Sequence, residues 1–204
     1  MQKKVLTESD LAGVRSRSRI YIPPETIVTP SARDAAAERH IEIIRLPARA
    51  RETIALGADH AGFSLKEEVK KLLVELGYDF HDFGTYDDRP VDYPDIAYKV
   101  AAAVSRGEYG RGIILDGAGI GSAIVANKLP GVRAAPCYDA ATARNSREHN
   151  DANILTLGAR LIDPIKLREI IPVWLSSTLT EERHRRRVEK ILDIERKHLR
   201  GESR

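Results

Sequence analysis

Short apolar runs alternate with longer amphipathic stretches through the middle of the chain. The apolar run at 54–58 is followed at 63–76 by a stretch whose apolar residues recur every three or four positions, which predicts a strand and then a helix. Four further rounds follow, with predicted strands at 79–83, 112–115, 132–136 and 154–157 and predicted helices at 96–104, 122–128, 140–148 and 164–177. This alternation predicts an α/β fold on a parallel sheet, with ligands bound where the strands end.

The first part of the chain breaks this pattern. It predicts an extended stretch at 20–24, a short helix at 31–39 and one strand at 41–44, with too little apolar surface to fold independently. We therefore expect an N-terminal extension over 1–51 that docks on another surface, and one main domain over 52–204.

Charge is balanced except near the C-terminus. The chain has 33 Lys and Arg against 30 Asp and Glu, a net charge of +3, so a nucleic-acid partner is not predicted. The basic excess is concentrated at 183–187, within a predicted polar helix at 181–199. That cluster predicts either a solvated helix face or a phosphate-binding site. The apolar stripe of the same helix predicts packing on a partner subunit or on its own sheet.

Composition excludes several other classes. A single cysteine, Cys137, cannot form an internal disulfide framework, and no pair of cysteines has metal-ligand spacing. No run of about 18 uncharged apolar residues is present to span a bilayer, and the first residues lack the apolar segment of a signal peptide. We expect a soluble, cytoplasmic protein without a membrane partner.

A glycine-rich turn, Asp-Gly-Ala-Gly-Ile-Gly-Ser at 116–122, lies between a predicted strand and a predicted helix. Glycines let backbone N–H groups converge on an anion beside a helix N-terminus, so the turn predicts a phosphate or oxyanion cradle, with a simple tight turn as the alternative. The turn lacks the Lys-Ser/Thr of a nucleotide loop, and the next predicted strand lacks the acidic residue of dinucleotide sites. Nucleotide binding is therefore disfavoured.

Ionisable residues follow the predicted strands. Asp116 ends a buried strand beside the glycine-rich turn, where it could act as a base or cap the next helix. Asp59 and His60 follow the first strand of the alternating region, which places them at the same rim. His149 and Asn150 close the helix before the last strand, so they join that rim or reach a neighbouring subunit.

Three arginines complete the candidate site. Arg160 follows the last predicted strand, and Arg183 and Arg187 are four residues apart on one helical face. Guanidinium groups bind phosphate oxygens in a bidentate manner, so together these residues predict a phosphate clamp.

Five motifs in this order resemble the ribose-5-phosphate isomerase B and galactose-6-phosphate isomerase family. They cover roughly 53–199, and they are Gly57-Ala58-Asp59-His60-Ala61-Gly62-Phe63, Asp92-Tyr93-Pro94, the 117–121 loop with Ala126-Asn127-Lys128, Arg147-Glu148-His149-Asn150, and Arg183-His184-x-x-Arg187-Val188. The resemblance implies a Rossmann-like three-layer sandwich that forms homodimers or dimers of dimers with shared active sites. It implies no metal and no other cofactor.

The resemblance also implies a reaction. The partner would be a small phosphorylated sugar, by default ribose 5-phosphate, converted to ribulose 5-phosphate through a cis-enediolate in pentose phosphate metabolism. The implied catalytic residues are Asp116, His149, which assists ring opening, and the enediolate-binding Gly117, Gly119 and Gly121. The implied substrate-binding residues are Asp59, His60, Tyr93, Ala118, Ile120, Ser122, Asn150, Arg160, Arg183, His184 and Arg187.

One departure concerns the base. Many members of this family carry a cysteine base at the position of Asp116 and a hydroxyl residue where this chain has Ala118. We therefore predict that Asp116 itself is the base. The alternative is a catalytically weak sugar-phosphate-binding subunit that needs a partner chain, as in galactose-6-phosphate isomerase.

A second departure is the extension. Segments 6–10 and 27–34 are similar to segments that precede some bacterial microcompartment enzymes, including ethanolamine-utilisation corrinoid adenosyltransferases. This similarity implies association with, or encapsulation in, a microcompartment. The alternative is a segment that stabilises the dimer by docking on it.

Overall fold

The computed structural model describes residues 5–22, 26–45 and 52–200. Contacts divide the chain into two compact units, one of 1–51 with 75–77 and one of 52–74 with 78–204. The predicted extended stretch at 20–24 is a strand as far as Ile22, and positions 23–24 lie outside the described residues.

The N-terminal unit pairs its short strands in parallel. Its elements are β1 (Val5–Leu6), α1 (Glu8–Leu11), β2 (Arg19–Ile22), β3 (Ile27–Val28), α2 (Pro30–Glu38) and β4 (Glu42–Arg45). Strand β1 pairs with β3, and β2 pairs with β4. Helix α2 starts at Pro30, one residue before the predicted position 31, because the Thr29 hydroxyl accepts the N–H of Ala32 at 3.2 Å and proline suits the first helical position.

This unit has a core of its own. Six buried apolar residues form it, namely Leu11, Ile22, Val28, Ala32, Ala36 and Ile41. Elements α1, β1 and β3 are too short to show a periodicity, so the sequence did not predict them. They contribute Leu11 and Val28 to this core.

The main unit is a doubly covered parallel sheet. Its elements are β5 (Thr53–Ala58), α3 (Phe63–Glu75), β6 (Asp79–Asp82), α4 (Tyr93–Ser105), β7 (Arg111–Asp116), α5 (Ile120–Ala126), β8 (Ala134–Pro136), α6 (Ala140–Asn150), β9 (Ile154–Gly158), α7 (Pro164–Ser176) and α8 (Glu182–Leu199). The five strands are all parallel, in the order β6-β5-β7-β9-β8. The predicted α/β fold with a parallel sheet is confirmed.

Small residues bring α4 close to the centre of this sheet. A Cβ atom on Gly57 of β5 would lie 2.8 Å from Val100, and one on Gly112 of β7 would lie 2.9 Å from the same side chain. Ala97 and Ala101 of α4 are fully buried in the resulting core. The close approach fixes the start of α4 beside the ends of the central strands.

Candidate active site at two edges of the sheet

The carboxyl ends of the three central strands meet at one edge of the sheet. Ala58 of β5 pairs with Leu115 of β7, and Asp116 of β7 pairs with Gly158 of β9. The residues that follow these strands therefore share one rim, which we call the carboxyl edge. It is the rim where parallel sheets usually bind ligands.

Asp116 is the most tightly held side chain at the carboxyl edge. Its Oδ1 accepts the N–H of Ala118 at 2.8 Å and also the N–H of Gly119, while its Oδ2 accepts the N–H of Ser122 at 2.9 Å. Only 4% of its surface is exposed. The side chain therefore caps α5, the alternative role named for it above, and its orientation is fixed.

The loop after Asp116 is shaped by close backbone packing. Gly119 has a φ of +80°, a left-handed conformation that favours glycine. A Cβ on Gly158 would lie 2.6 Å from the carbonyl oxygen of Ala118, so only glycine fits there. The Thr156 hydroxyl donates to the carbonyl of Gly119 at 2.7 Å. Sequence reasoning missed Thr156, although a hydroxyl inside an otherwise apolar strand is a usable signal.

The cradle prediction needs a correction. The loop was expected to present its N–H groups to a bound oxyanion, but those of Ala118, Gly119 and Ser122 are directed at Asp116. Ile120 and Gly121 open α5, so their N–H groups have no acceptor within the helix. These two N–H groups are donors that the loop can offer to a ligand.

Asp59 and His60 lie at the same edge, as predicted. Asp59 is buried, and its Oδ1 accepts the N–H of Gly62 at 2.9 Å. Burial raises the pKa of Asp59, and the nearby charge of Asp116 adds to the rise. His60 is exposed, with its Nδ1 3.1 Å from the carbonyl oxygen of Val91. The edge thus carries two buried carboxyl groups and an imidazole.

Tyr93 and Arg160 border this cluster. A Cβ on Gly121 would lie 2.7 Å from the Tyr93 ring, so the ring packs directly on the glycine loop. A Cβ on Gly117 would lie 3.6 Å from the Nε of Arg160, so the exposed guanidinium lies above the loop. Ser122 is fully buried, and its hydroxyl has no hydrogen-bond partner among the described residues.

His149 and Asn150 do not join this rim. They end α6, a crossover helix that starts after β8 and runs back to the opposite edge. Just beyond them, the carbonyl of Asn153 accepts the N–H of Gly112 at 2.9 Å, near the start of β7. The length of β7, six residues or about 16 Å, therefore separates these residues from the Asp116 carboxylate. We call their location the amino edge.

The basic residues of α8 accompany His149. The ring of His184 stacks on the ring of His149, with centroids 3.9 Å apart and planes at 12°. Arg183 and Arg187 flank His184 in the same first turns of α8, and both are exposed. The predicted clamp is therefore not assembled within one chain, because Arg160 lies at the carboxyl edge.

His149 has a second support that the sequence analysis overlooked. The Nδ2 of Asn145 lies 3.0 Å from the Nδ1 of His149. The four-residue spacing along α6 was a usable signal, since side chains at i and i+4 face each other on a helix. The contact occupies Nδ1 and leaves Nε2 for a ligand.

Residues 54–191 match the family model described as Ribose/Galactose Isomerase. The chain belongs to this family. Among its relatives, ribose-5-phosphate isomerase B of Escherichia coli is 42% identical over 144 residues, 71% of this chain and 97% of that protein. D-erythrulose-4-phosphate isomerase of Pectobacterium atrosepticum is 42% identical over 142 residues, 68% of this chain and 92% of that protein.

Solved structures agree with this assignment to the ribose/galactose isomerases. Ribose-5-phosphate isomerase B of Clostridium thermocellum is 48% identical, with a TM-score of 0.70, and the match covers 72% of this chain and 99% of that one. The family and its sheet architecture are therefore those implied by the five motifs. The relatives are sugar-phosphate isomerases, so membership assigns the chain to isomerase chemistry.

Other site types find no support in the described part of the chain. Residues 5–22, 26–45 and 52–200 contain no group of three or more His, Cys, Asp or Glu side chains arranged to hold a metal ion. No helix in these ranges has the length and apolarity needed to cross a membrane. Cys137 follows β8 and is buried. Burial raises the pKa of its thiol to about 11, which disfavours the reactive thiolate, so Cys137 is not a candidate nucleophile.

Proposed function

We propose that this isomerase interconverts an aldose phosphate and its ketose phosphate, with ribose 5-phosphate and ribulose 5-phosphate as the pair. The observation that carries the proposal is the buried Asp116 carboxylate, oriented by three backbone N–H groups at the carboxyl edge. The names of the relatives support a sugar phosphate, and they include both a pentose and a tetrose phosphate.

Asp116 is the base in this proposal. Each carboxylate oxygen offers two lone pairs; Oδ1 uses both for N–H groups, whereas Oδ2 uses one and keeps one for a proton. Oδ2 takes the proton from the carbon next to the carbonyl, which forms a cis-enediolate, and returns it to the neighbouring carbon. A base fixed in this way needs no reorientation at the moment of proton transfer.

The rest of the carboxyl edge holds the sugar. The N–H groups of Ile120 and Gly121 are placed to stabilise the enediolate oxygens, since they open a helix and point outward from its first turn. Asp59 and His60 bind sugar hydroxyls. Asp59 suits this task because the N–H of Gly62, which Oδ1 accepts, leaves lone pairs of the carboxyl group for sugar hydroxyls.

A second copy of the chain completes the site. Of the candidate residues, the base Asp116 and Arg160 lie at the carboxyl edge, whereas His149, Asn150, Arg183 and Arg187 lie at the amino edge. In a homodimer or a dimer of dimers, the amino edge of one subunit meets the carboxyl edge of the next. Exposed apolar side chains on α5 and α8 suit such an interface, namely Ile120, Ile124, Ile191, Ile194 and Leu199.

We propose an association role for the N-terminal extension, residues 1–51, in the cytoplasm or in a bacterial microcompartment. Its separate core supports a role apart from catalysis. Size-exclusion chromatography and co-sedimentation with shell proteins, comparing the full chain with a variant lacking 1–51, test this role. An unchanged oligomer that never sediments with shells contradicts it.

A second candidate function remains, a sugar-phosphate-binding subunit that needs a partner chain. The same three hydrogen bonds also favour this alternative. They hold the Asp116 carboxylate in place and use three of its four lone pairs, which leaves it less free to act as a base. Steady-state assays of the purified homomer on ribose, allose, galactose and erythrose phosphates decide between the two. Turnover of any of them supports the isomerase, and binding of a sugar phosphate without turnover supports the partner-dependent subunit.

A further inference from the structure

The His149–His184 pair has two features that ligand binding by His184 does not explain. The ring of His184 is 3% exposed, so a phosphate has little access to it. Neither of its ring nitrogens has a hydrogen-bond partner among the described residues, and Nε2 lies 3.7 Å from the nearest Glu181 oxygen. A buried imidazole without partners is unusual and calls for a role in the site.

The packing around His184 favours the uncharged form of its ring. Burial lowers the pKa of His184, and His149, Arg183 and Arg187 lower it further, against an opposing effect from Glu181. An uncharged ring can stack closely on a second imidazole, as the 3.9 Å centroid distance and 12° interplanar angle show. A charged ring would repel a proton on His149.

We infer that His184 is a positioning residue that holds the ring of His149 for sugar ring opening, rather than a phosphate ligand. His149 is then fixed by two contacts, the stack on one face and Asn145 at Nδ1. Together they fix both the plane of the ring and the direction of Nε2. This inference rests on the proposed isomerase function and on His149 as the group that opens the ring.

The step that His184 supports is the opening of the furanose ring. Asn145 donates to Nδ1 of His149, so the neutral imidazole carries its hydrogen on Nε2. This Nε2–H donates a hydrogen bond to the ring oxygen and stabilises the negative charge that forms there as the bond between C1 and the ring oxygen breaks. The C1 hydroxyl passes its proton to water, its O–H electron pair forms the carbonyl, and water protonates the ring oxygen. Enediolate formation by Asp116 is a separate step that starts from the open chain.

The two steps can be measured separately with one pair of sugars. Ribose 5-phosphate is mainly a furanose, so its turnover requires ring opening. Ribulose 5-phosphate cannot close a furanose, because its C5 oxygen carries the phosphate. Exchange of its C1 hydrogen with deuterium from solvent therefore reports enediolate formation alone.

The test uses His184→Ala, which removes the stack, His184→Phe, which keeps a ring without nitrogens, and Arg186→Gln, an exposed control on the same helix. The ratio of ribose 5-phosphate turnover to ribulose 5-phosphate exchange should fall at least about tenfold in His184→Ala, since misplacing a catalytic group is costly. In His184→Phe and Arg186→Gln it should stay within about threefold of wild type. An equal fall of both rates, or a loss in His184→Phe as large as in His184→Ala, overturns the inference.

A readout without turnover separates this inference from the proposed function. If the wild type neither isomerises ribose 5-phosphate nor exchanges ribulose 5-phosphate, the isomerase proposal for the homomer fails. The Cε1–H resonance of His149 still reports the stack through the ring current of His184. It should move toward the value of a free histidine in His184→Ala but not in His184→Phe, and an unmoved resonance in both variants overturns the positioning role.

Discussion

The two edges of the sheet carry opposite charges and hold them in opposite ways. At the carboxyl edge, Asp59 and Asp116 are buried and bound by backbone N–H groups. At the amino edge, Arg183 and Arg187 are exposed on one helix, and the two histidines there are held mainly by each other. A base needs a fixed orientation, whereas a phosphate can be met by flexible cations. The difference indicates a division between chemistry and phosphate recognition.

The proposed division between the two edges is tested most directly at Asp116. Asp116→Asn keeps an acceptor for two of the three N–H groups but removes the base, so kcat should fall at least about 10³-fold, as is typical for loss of a general base. Steady-state assays with thermal unfolding as a folding control measure this. Activity within tenfold of wild type would place the base elsewhere.

A mixture of two damaged chains tests whether the two edges belong to one shared site. Asp116→Asn and Arg187→Ala each damage a different edge, so a mixed dimer contains one intact site and one doubly damaged site. When both are co-expressed, half of the dimers are mixed, and kcat/KM measured at substrate concentrations well below KM should return to about a quarter of wild type. Absence of recovery in verified mixed dimers would mean that both residues act within one chain.

Arg187 tests whether the amino edge recognises the phosphate. Arg187→Ala should raise KM for the sugar phosphate with a smaller effect on kcat, a loss of about 1.5–3 kcal/mol of binding as for a charge-assisted contact. Arg186→Ala is the matched control, because Arg186 is an exposed neighbour that pairs with Glu182 of the same helix at 3.6 Å. Equal KM values for the two variants would argue against the clamp.

The smallest predicted effect is the pH dependence of stability at the amino edge. The pKa of His184 is lowered in the folded chain, chiefly by burial, with contributions from His149, Arg183 and Arg187 against Glu181. The unfolded chain therefore binds the proton more readily, and stability should fall as pH drops below about 6.5, the ordinary histidine value. His184→Phe should weaken this fall, as measured by denaturant midpoints from pH 7.5 to 5. An identical pH profile in both proteins would contradict it.

The sequence predicted the elements of the main unit well, because their apolar periods are long. The observed helix starts differ from the predicted ones where side chains or a glycine conformation decide the first residue of the helix. Helix α4 starts at Tyr93, before the predicted position 96, behind Asp92 and with Pro94 in its first turn. Helix α5 starts at Ile120, because Gly119 with its left-handed backbone ends the loop.

The site was predicted residue by residue, but its assembly was not. The membership of Asp59, His60 and Asp116 in one rim followed from strand ends alone. His149 was assigned to that rim or to a neighbouring subunit, and the direction of α6 places it at the far edge of its own sheet. Asn145 and Thr156 escaped notice because their partners are a side chain one turn away and a carbonyl in another element.

The sequence by itself determined the family, the order of strands and helices, and the side chains available for chemistry, because these depend on local periodicity and on motif identity. Only the tertiary structure decided that three N–H groups of the glycine loop turn toward Asp116, and that His149 stacks on His184. Both depend on backbone directions and on contacts between separate elements, which local patterns do not encode.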